Sequence, residues 1–155
     1  MARVDRIDRK LLTLLTEDAG QTYTDLAKSL HLSAPALHER VKRLKASGVI
    51  RRTTIEIDPR AVGHALCAFV HVDAAGGACA SIVEALRGNG LIEETHSVAG
   101  GTCMVLKVRA GSPEILEGVL QTIHLQSGAR RVESFVVLRT YMDRGPDLLI
   151  DVEKD

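Results

Sequence analysis

Ser33-Ala34-Pro35-Ala36-Leu37-His38-Glu39-Arg40-Val41-Lys42-Arg43-Leu44-Lys45-Ala46-Ser47-Gly48 decides how the first third of this chain folds. Ser33 is a good N-cap, and Pro35 is tolerated in a first turn whose N–H groups have no intrahelical partner. Gly48 supplies the residue that commonly follows a C-cap. At about 100° per residue, Leu37, Val41 and Leu44 form one narrow apolar stripe, with His38, Glu39, Lys42, Arg43 and Lys45 on the outer side. A short helix with a thin buried stripe and a basic outer face must pack on other helices while presenting cations to something else.

The flanking residues supply those other helices. Val4, Ile7, Leu11, Leu14 and Leu15 recur at spacings of three and four and predict a helix over about 5–18, stopping at Ala19-Gly20. Thr22 caps a second, shorter helix, with Asp25 reaching back to it and Leu26, Ala27 and Leu30 as its apolar face. His31-Leu32-Ser33 makes the turn into the third. Two helices joined by a short turn, the second basic outside, form a helix-turn-helix, whose second helix enters the major groove. Beyond it, residues 49–57 partly alternate and end at Asp58-Pro59, which predicts a strand or wing.

Charge agrees with that reading. Residues 1–60 hold 12 Lys+Arg against 8 Asp+Glu, whereas residues 61–155 hold 8 against 12. A basic module joined to an acidic one is the pattern of a nucleic-acid binder with a separate partner or sensor domain. Lys42, Arg43, Lys45, Arg51 and Arg52 suit phosphate contacts, which give affinity and salt dependence. Ser33, Pro35, Ala36, His38 and Glu39 sit where base edges are read. Thr22, Ala34 and Arg40 complete the candidate interface with double-stranded DNA. Glu39 has two readings, acceptance from a cytosine amino group or an i,i+4 pair with Arg43, and the pair is favoured.

From Ala61 the pattern changes. Strand-length apolar runs at 66–72, 92–98, 103–108 and 131–141 alternate with helical spacing at 78–87 and a helix opened by Ser112-Pro113, with Ile115, Leu116, Val119, Leu120 and Ile123 as its apolar face. Gly100-Gly101 marks a hairpin. The order βαββαβ is the ferredoxin-like split βαβ, four antiparallel strands with two helices on one face. The first and last strands read as apolar on both faces, so a second copy of the sheet is expected to cover the open side and give a symmetric dimer. The fold class is therefore α+β, an N-terminal winged helix-turn-helix plus a C-terminal ferredoxin-like βαββαβ domain. The expected divisions are residues 1–60, 61–145 and a tail at 146–155, in which Pro146-Asp147-Leu148-Leu149-Ile150 either packs on a neighbouring subunit or stays unpacked.

Other classes of function find little support. No run approaches the ~18 apolar residues of a membrane span, and the charged start MARVDRIDRK lacks a signal-peptide core, so a cytoplasmic protein without membrane partners is expected. The three cysteines (Cys67, Cys79 and Cys103) have no C-x-x-C spacing, which predicts neither a disulfide framework nor a metal site. Cys103 reads as a small apolar residue rather than a redox sensor. Two Phe, two Tyr and no Trp give few platforms for stacking single-stranded bases. No Ser-His-Asp set, Cys-His pair or metal-ligand cluster is readable from spacing, so no catalytic residue and no cofactor is expected.

Three stretches, taken together, resemble the Lrp/AsnC (leucine-responsive, feast/famine) family of transcriptional regulators. They are Ile7-Asp8-Arg9-Lys10-Leu11-Leu12, then residues 32–50 with Arg40-Val41-Lys42-Arg43-Leu44 and Gly48-Val49-Ile50, and Ser97-Val98-Ala99-Gly100 leading into Val105-Leu106. The resemblance implies a second half of the RAM type (regulation of amino-acid metabolism), which forms dimers and then tetramers or octamers. It also implies an amino-acid effector bound between dimers, at positions corresponding here to Val98, Ala99, Gly100, Gly101, Thr102 and Cys103. Where the family commonly carries an acidic residue and then Asp-Tyr, this chain has Gly101-Thr102-Cys103-Met104; backbone N–H groups there suit a carboxylate, but no side chain supplies charge for an ammonium. His31 stands where the family has a glycine and is among the residues that tolerate positive φ. Two other readings stay open at this point, an enzyme similar to the sirohaem decarboxylases that share this fold, and an accessory module that modifies a sister regulator.

Overall fold

A computed structural model describes residues 4–148. The described residues divide into two compact units, one of residues 4–56 with 143–148, the other Ile57–Met142. Within the tail, Leu148 offers its carbonyl to the Arg9 guanidinium at 3.2 Å; Leu149 and Ile150 lie outside the described residues.

The first unit holds α1 (Arg6–Glu17), α2 (Tyr23–Ser29) and α3 (Ala34–Ala46). Each begins at a side-chain cap: Asp5 for α1, Thr22 for α2 and Ser33 for α3. The turn after α2 is a Schellman closure, in which Leu32 N–H donates to the Ala27 carbonyl at 2.8 Å and His31 N–H to that of Lys28 at 3.1 Å. His31 stands at φ 54°, in the left-handed region that this closure requires. Leu11, Leu26, Leu37 and Leu44 are fully or nearly fully buried together, with Val41 and Ala27 beside them. The stripe expected on the third helix is thus its buried face.

One polar group enters this core. Asp8 is fully buried, and it carries both halves of a capping box: its N–H donates to the Asp5 carboxylate at 2.7 Å, and its own carboxylate accepts from Asp5 N–H at 3.1 Å. Two guanidinium groups from α3 complete it. Arg40 Nη1 lies 2.7 Å from Asp8 Oδ1 and 2.6 Å from Asp5 Oδ2, and Arg43 Nη2 lies 2.5 Å from Asp8 Oδ2. A buried carboxylate is tolerable only when paired and hydrogen-bonded in this way. The cluster therefore sets where α3 can sit on α1.

Residues 49–57, expected as a strand or wing, form no strand among the described residues. A ladder needs a partner edge, and none among the described residues pairs with it; Ile55 and Ile57 remain well exposed.

The second unit holds β1 (Leu66–Ala74), α4 (Ala78–Leu86), β2 (Ile92–Ser97), β3 (Met104–Ala110), α5 (Pro113–His124) and β4 (Ala129–Val136). The strands lie in the order β2-β3-β1-β4, antiparallel at every junction, which is the split βαβ arrangement. Alternation works as expected on the covered face: Ala68, Val70 and Val72 of β1 and Met104, Leu106 and Val108 of β3 are buried against Ile82, Leu86, Leu116, Val119 and Ile123 of the helices. Ile115, expected on the apolar face of α5, is instead 46% exposed. Gly128 has φ +91°, and a Cβ there would come within 2.5 Å of the Ala78 side chain; glycine permits the close passage of α4 over the start of β4.

Two further expectations need correction. The last strand ends at Val136 rather than continuing to residue 141, because β1 starts at Leu66 and the final ladder bond is Val137 N–H to the Cys67 carbonyl at 2.9 Å. The open face of the sheet is also mixed rather than apolar. Phe69 and Phe135 face each other across β1 and β4, but Lys107 is beside Phe69, and Glu133 and Val105 flank His71.

Two outcomes follow for the Asp8 cluster. Asp8→Ala leaves Arg40 half-buried with half its partners, so urea unfolding followed at the helical unit is expected to show a loss of about 3 kcal/mol. Burial raises the Asp5 pKa, but the hydrogen bond and charge of Arg40 and the Asp8 N–H outweigh it and hold it below 3.8. The stability Asp5 contributes is thus complete above that value and is lost as pH falls through the lower, folded one. Thermal midpoints recorded from about pH 5 downward are expected to fall less steeply in Asp5→Asn than in the parent chain.

Candidate functional site

Two groups of residues carry the expected chemistry, one on each unit. On the first unit, the caps use their own hydroxyls. Thr22 Oγ1 donates to the Asp25 carboxylate at 2.7 Å and accepts from Asp25 N–H at 3.2 Å, and Ser33 Oγ accepts from Ala36 N–H at 3.3 Å. The bond from Thr22, followed by that from Lys28, holds the exposed Asp25 carboxyl below its usual range. Ala34, Pro35, Ala36, His38 and Glu39 are all exposed on the first turns of α3. His38 packs edge-on against the Tyr23 ring, with centroids 5.7 Å apart. The sequence reading overlooked Tyr23. Its signal was its place in the first turn of α2, since an aromatic side chain beside a cap has no core to enter.

The six cations of residues 33–52 fall into two classes. Arg40 and Arg43 are engaged by the acids of α1, and the bonds from Asp5 and then Asp8 raise the Arg40 pKa. Arg43 remains half-exposed beyond its contact. It pairs with Asp8, not with Glu39 as expected, and Glu39 has no ion pair among the described residues. Lys42, Lys45, Arg51 and Arg52 are exposed and have no ion pair among the described residues. These four are the cations open to an external anion. Asp8 was legible on the helical wheel: it shares the apolar face of α1 with Val4, Leu11 and Leu15, and a carboxylate there requires a cation. Arg40 was legible too, since it lies on the flank of the Leu37-Val41-Leu44 stripe rather than opposite it.

On the second unit, residues 98–103 close the β2–β3 hairpin. Val98 N–H donates to the Cys103 carbonyl at 3.1 Å. The Val72 carbonyl, near the end of β1, accepts from Cys103 N–H at 3.2 Å, from Thr102 Oγ1 at 2.7 Å and from the Cys103 thiol at 3.3 Å. Two of the six amides expected to face a ligand, those of Val98 and Cys103, are therefore committed to the hairpin. The N–H groups of Ala99, Gly100, Gly101 and Thr102 make no hydrogen bond among the described residues, so an anion placed there would meet four free donors. The loop also meets α4: Cys79 Sγ stands 2.7 Å from Cys103 Sγ, and all three cysteines are free thiols. Nothing in the spacing of Cys79 and Cys103 announced that approach; it depends on how α4 crosses the sheet.

Among the described residues there is no group of three or more His, Cys, Asp or Glu side chains able to hold a metal, and no helix long and apolar enough to cross a membrane.

Comparison with known proteins adds independent support. Residues 4–51 match the family described as winged helix-turn-helix DNA-binding, and residues 67–147 match the Lrp/AsnC ligand binding domain. The chain is 35% identical over 149 residues to the HTH-type transcriptional regulator LrpA of Mycobacterium tuberculosis, covering 91% of this chain and 95% of that one. It is 30% identical over 140 residues to the HTH-type transcriptional regulator FL11 of Pyrococcus abyssi, covering 90% and 93%. Its fold superposes on the feast or famine regulatory protein of M. tuberculosis complexed with L-methionine with a TM-score of 0.84, at 34% identity and over 91% and 96% of the two chains. On AsnC of E. coli the TM-score is 0.89, at 24% identity and over 94% and 99%.

The division of the cations has a direct test in stability. Arg40→Gln is expected to lower the urea midpoint of the helical unit by an amount equivalent to about 2 kcal/mol or more. Lys45→Gln, on the outer face, is expected to change it by no more than about 0.5 kcal/mol.

Proposed function

The chain belongs to the Lrp/AsnC family of transcriptional regulators, and from that premise we propose how it engages DNA, itself and an effector. The exposed first turns of α3, with Ala34, Pro35, Ala36, His38 and Glu39, enter the major groove. Lys42, Lys45, Arg51 and Arg52 hold the flanking phosphates, with the free part of Arg43 beside them. The observation that carries this reading is the exposure of those four cations with no ion pair among the described residues, on and just beyond a helix that Arg40 and Asp8 fix in place. Phosphate contacts of this kind release counterions and make affinity steeply salt-dependent.

Dimerisation through the open sheet face is the second part of the reading. Phe69 and Phe135 are paired across two strands yet 41% and 53% exposed. Burying both faces of such a sheet by a two-fold copy satisfies them, while Lys107, Glu94 and Glu133 on the same face can pair across the axis. A two-fold dimer carries two copies of α3 and reads two half-sites. Further assembly into tetramers or octamers builds on that dimer.

The effector is an amino acid whose carboxylate rests on the free N–H groups of Ala99, Gly100, Gly101 and Thr102. A relative of this fold is known in complex with L-methionine, which makes that amino acid the first to try. Because no acidic side chain stands in residues 98–103, the ammonium contributes little from this loop.

Three results test these points. In anisotropy titrations with operator-length duplex DNA, log affinity is expected to fall linearly with log salt; Lys45→Gln and Arg51→Gln are each expected to reduce that slope by about 1. Binding that is indifferent to salt would exclude the phosphate role. Light scattering of the parent chain is expected to give an even number of copies, and Phe69→Glu with Phe135→Glu to reduce it. In calorimetry, 4-(methylthio)butanoate, which lacks the amino group, is expected to bind within about tenfold of L-methionine; a much larger gap would show that an acid elsewhere takes the ammonium.

A further inference from the structure

Cys79 lies in the first turn of α4 and Cys103 at the end of the hairpin loop, 24 residues apart in sequence, with their sulfurs 2.7 Å apart and both half-buried. A disulfide needs about 2.05 Å, so the two must close by only about 0.7 Å. The backbone on each side can supply that movement. Gly76-Gly77 precede α4 and Gly100-Gly101 lie in the loop, and none of the four has an atom within 4 Å of where a Cβ would stand. A shared metal fits less well: two thiolates on a tetrahedral zinc stand about 3.8 Å apart, and no third ligand is grouped with them among the described residues. Cys67 sits five residues before Val72 on β1, about 16 Å along the strand from this contact, and takes no part.

We propose that Cys79 and Cys103 are a peroxide-oxidisable pair that closes to an intramolecular disulfide, tying the first turn of α4 to residues 98–103. In the first step one sulfur, as thiolate, attacks a peroxide oxygen; the O–O bond breaks, hydroxide leaves and takes up a proton, and the attacked sulfur becomes a sulfenic acid, two electrons more oxidised. The second sulfur then displaces the sulfenic oxygen, which leaves as water once protonated, and the S–S bond forms. Two thiols and one hydrogen peroxide give one disulfide and two waters. The Cys79 thiol is held above its usual range, first by its hydrogen bond with Cys103 and then by burial and by the negative charges of Cys103 and Asp73. Closure removes the thiol bond from Cys103 to the Val72 carbonyl but leaves those of Thr102 and the Cys103 amide, so the loop stays in place and stiffens. That stiffening becomes a regulation of ligand binding only if residues 98–103 are the effector site proposed above; the disulfide itself stands on the geometry alone.

The test uses the full chain without any ligand, so that it succeeds or fails independently of the effector reading. Cys67 and Cys79 fall in one tryptic peptide, residues 61–87, so the work is done with both the parent and Cys67→Ser. After hydrogen peroxide treatment, the intact mass is expected to drop by two hydrogens, with residues 61–87 cross-linked to residues 88–107 in both proteins and the link reversed by dithiothreitol. Cys79→Ser is expected to lose the link and instead accumulate a dimedone-reactive sulfenic acid at Cys103. Amide exchange at residues 99–102 is expected to slow at least about threefold in the oxidised parent, a measurement that needs no variant. Oxygen added to one cysteine without a cross-link, a link that disappears in Cys67→Ser, or a link between two chains would overturn the proposal. Unchanged amide exchange in the cross-linked protein would overturn the stiffening.

Discussion

A carboxylate placed where it cannot be solvated governs the first unit. Asp8 faces the core of α1 with no exposed surface, and it is held by the Asp5 N–H and by guanidinium groups of Arg40 and Arg43 from α3. Leu37, Val41 and Leu44 would pack on α1 and α2 over a range of small rotations and slides, because apolar contact is non-directional. Charge-assisted hydrogen bonds to a buried acceptor are directional. They select one setting of α3, and that setting leaves Pro35, His38, Glu39 and Lys42 outward. The same bonds remove Arg40 and part of Arg43 from the pool of cations open to DNA. The basic residues of this one helix are thus divided between those that pair with the acids of α1 and those left exposed.

The second unit uses a backbone acceptor to similar effect. Three donors from Thr102 and Cys103 converge on the Val72 carbonyl, so a loop rich in glycine is anchored at one end while its central amides stay free. The anchor lies at the edge of the core formed by β1, β3 and the two helices, which gives the loop a rigid support. Cys103 belongs to both features, since it fastens the loop and meets Cys79.

Much of the fold was legible because local signals and packing agree. Thr22, Ser33 and Ser112 cap the helices they were expected to cap, and the spacing of Leu37, Val41 and Leu44 gave the buried face of α3 directly. His31 at positive φ agrees with the family resemblance, in which it stands at a glycine position. The failures share one cause, which is that strand extent depends on partners distant in sequence. Residues 49–57 have strand composition but pair with no edge among the described residues, and β4 stops where β1 stops supplying carbonyls. Arg43 was assigned to Glu39 because i,i+4 spacing is visible in a sequence, whereas Asp8, 35 residues away, is not. The Cys79–Cys103 approach is of the same kind, a product of the crossing of α4 over the sheet.

Chemical-shift mapping of backbone amides in the full chain, titrated with duplex DNA that carries a bound promoter site, tests the central claim most directly. Perturbations are expected to concentrate at residues 33–45 and at Arg51 and Arg52, with the α1 amides around Asp8 moving little because the ion cluster holds α3 in one setting. Shifts centred on the outer face of α1 or on the sheet, with residues 33–45 silent, would contradict it.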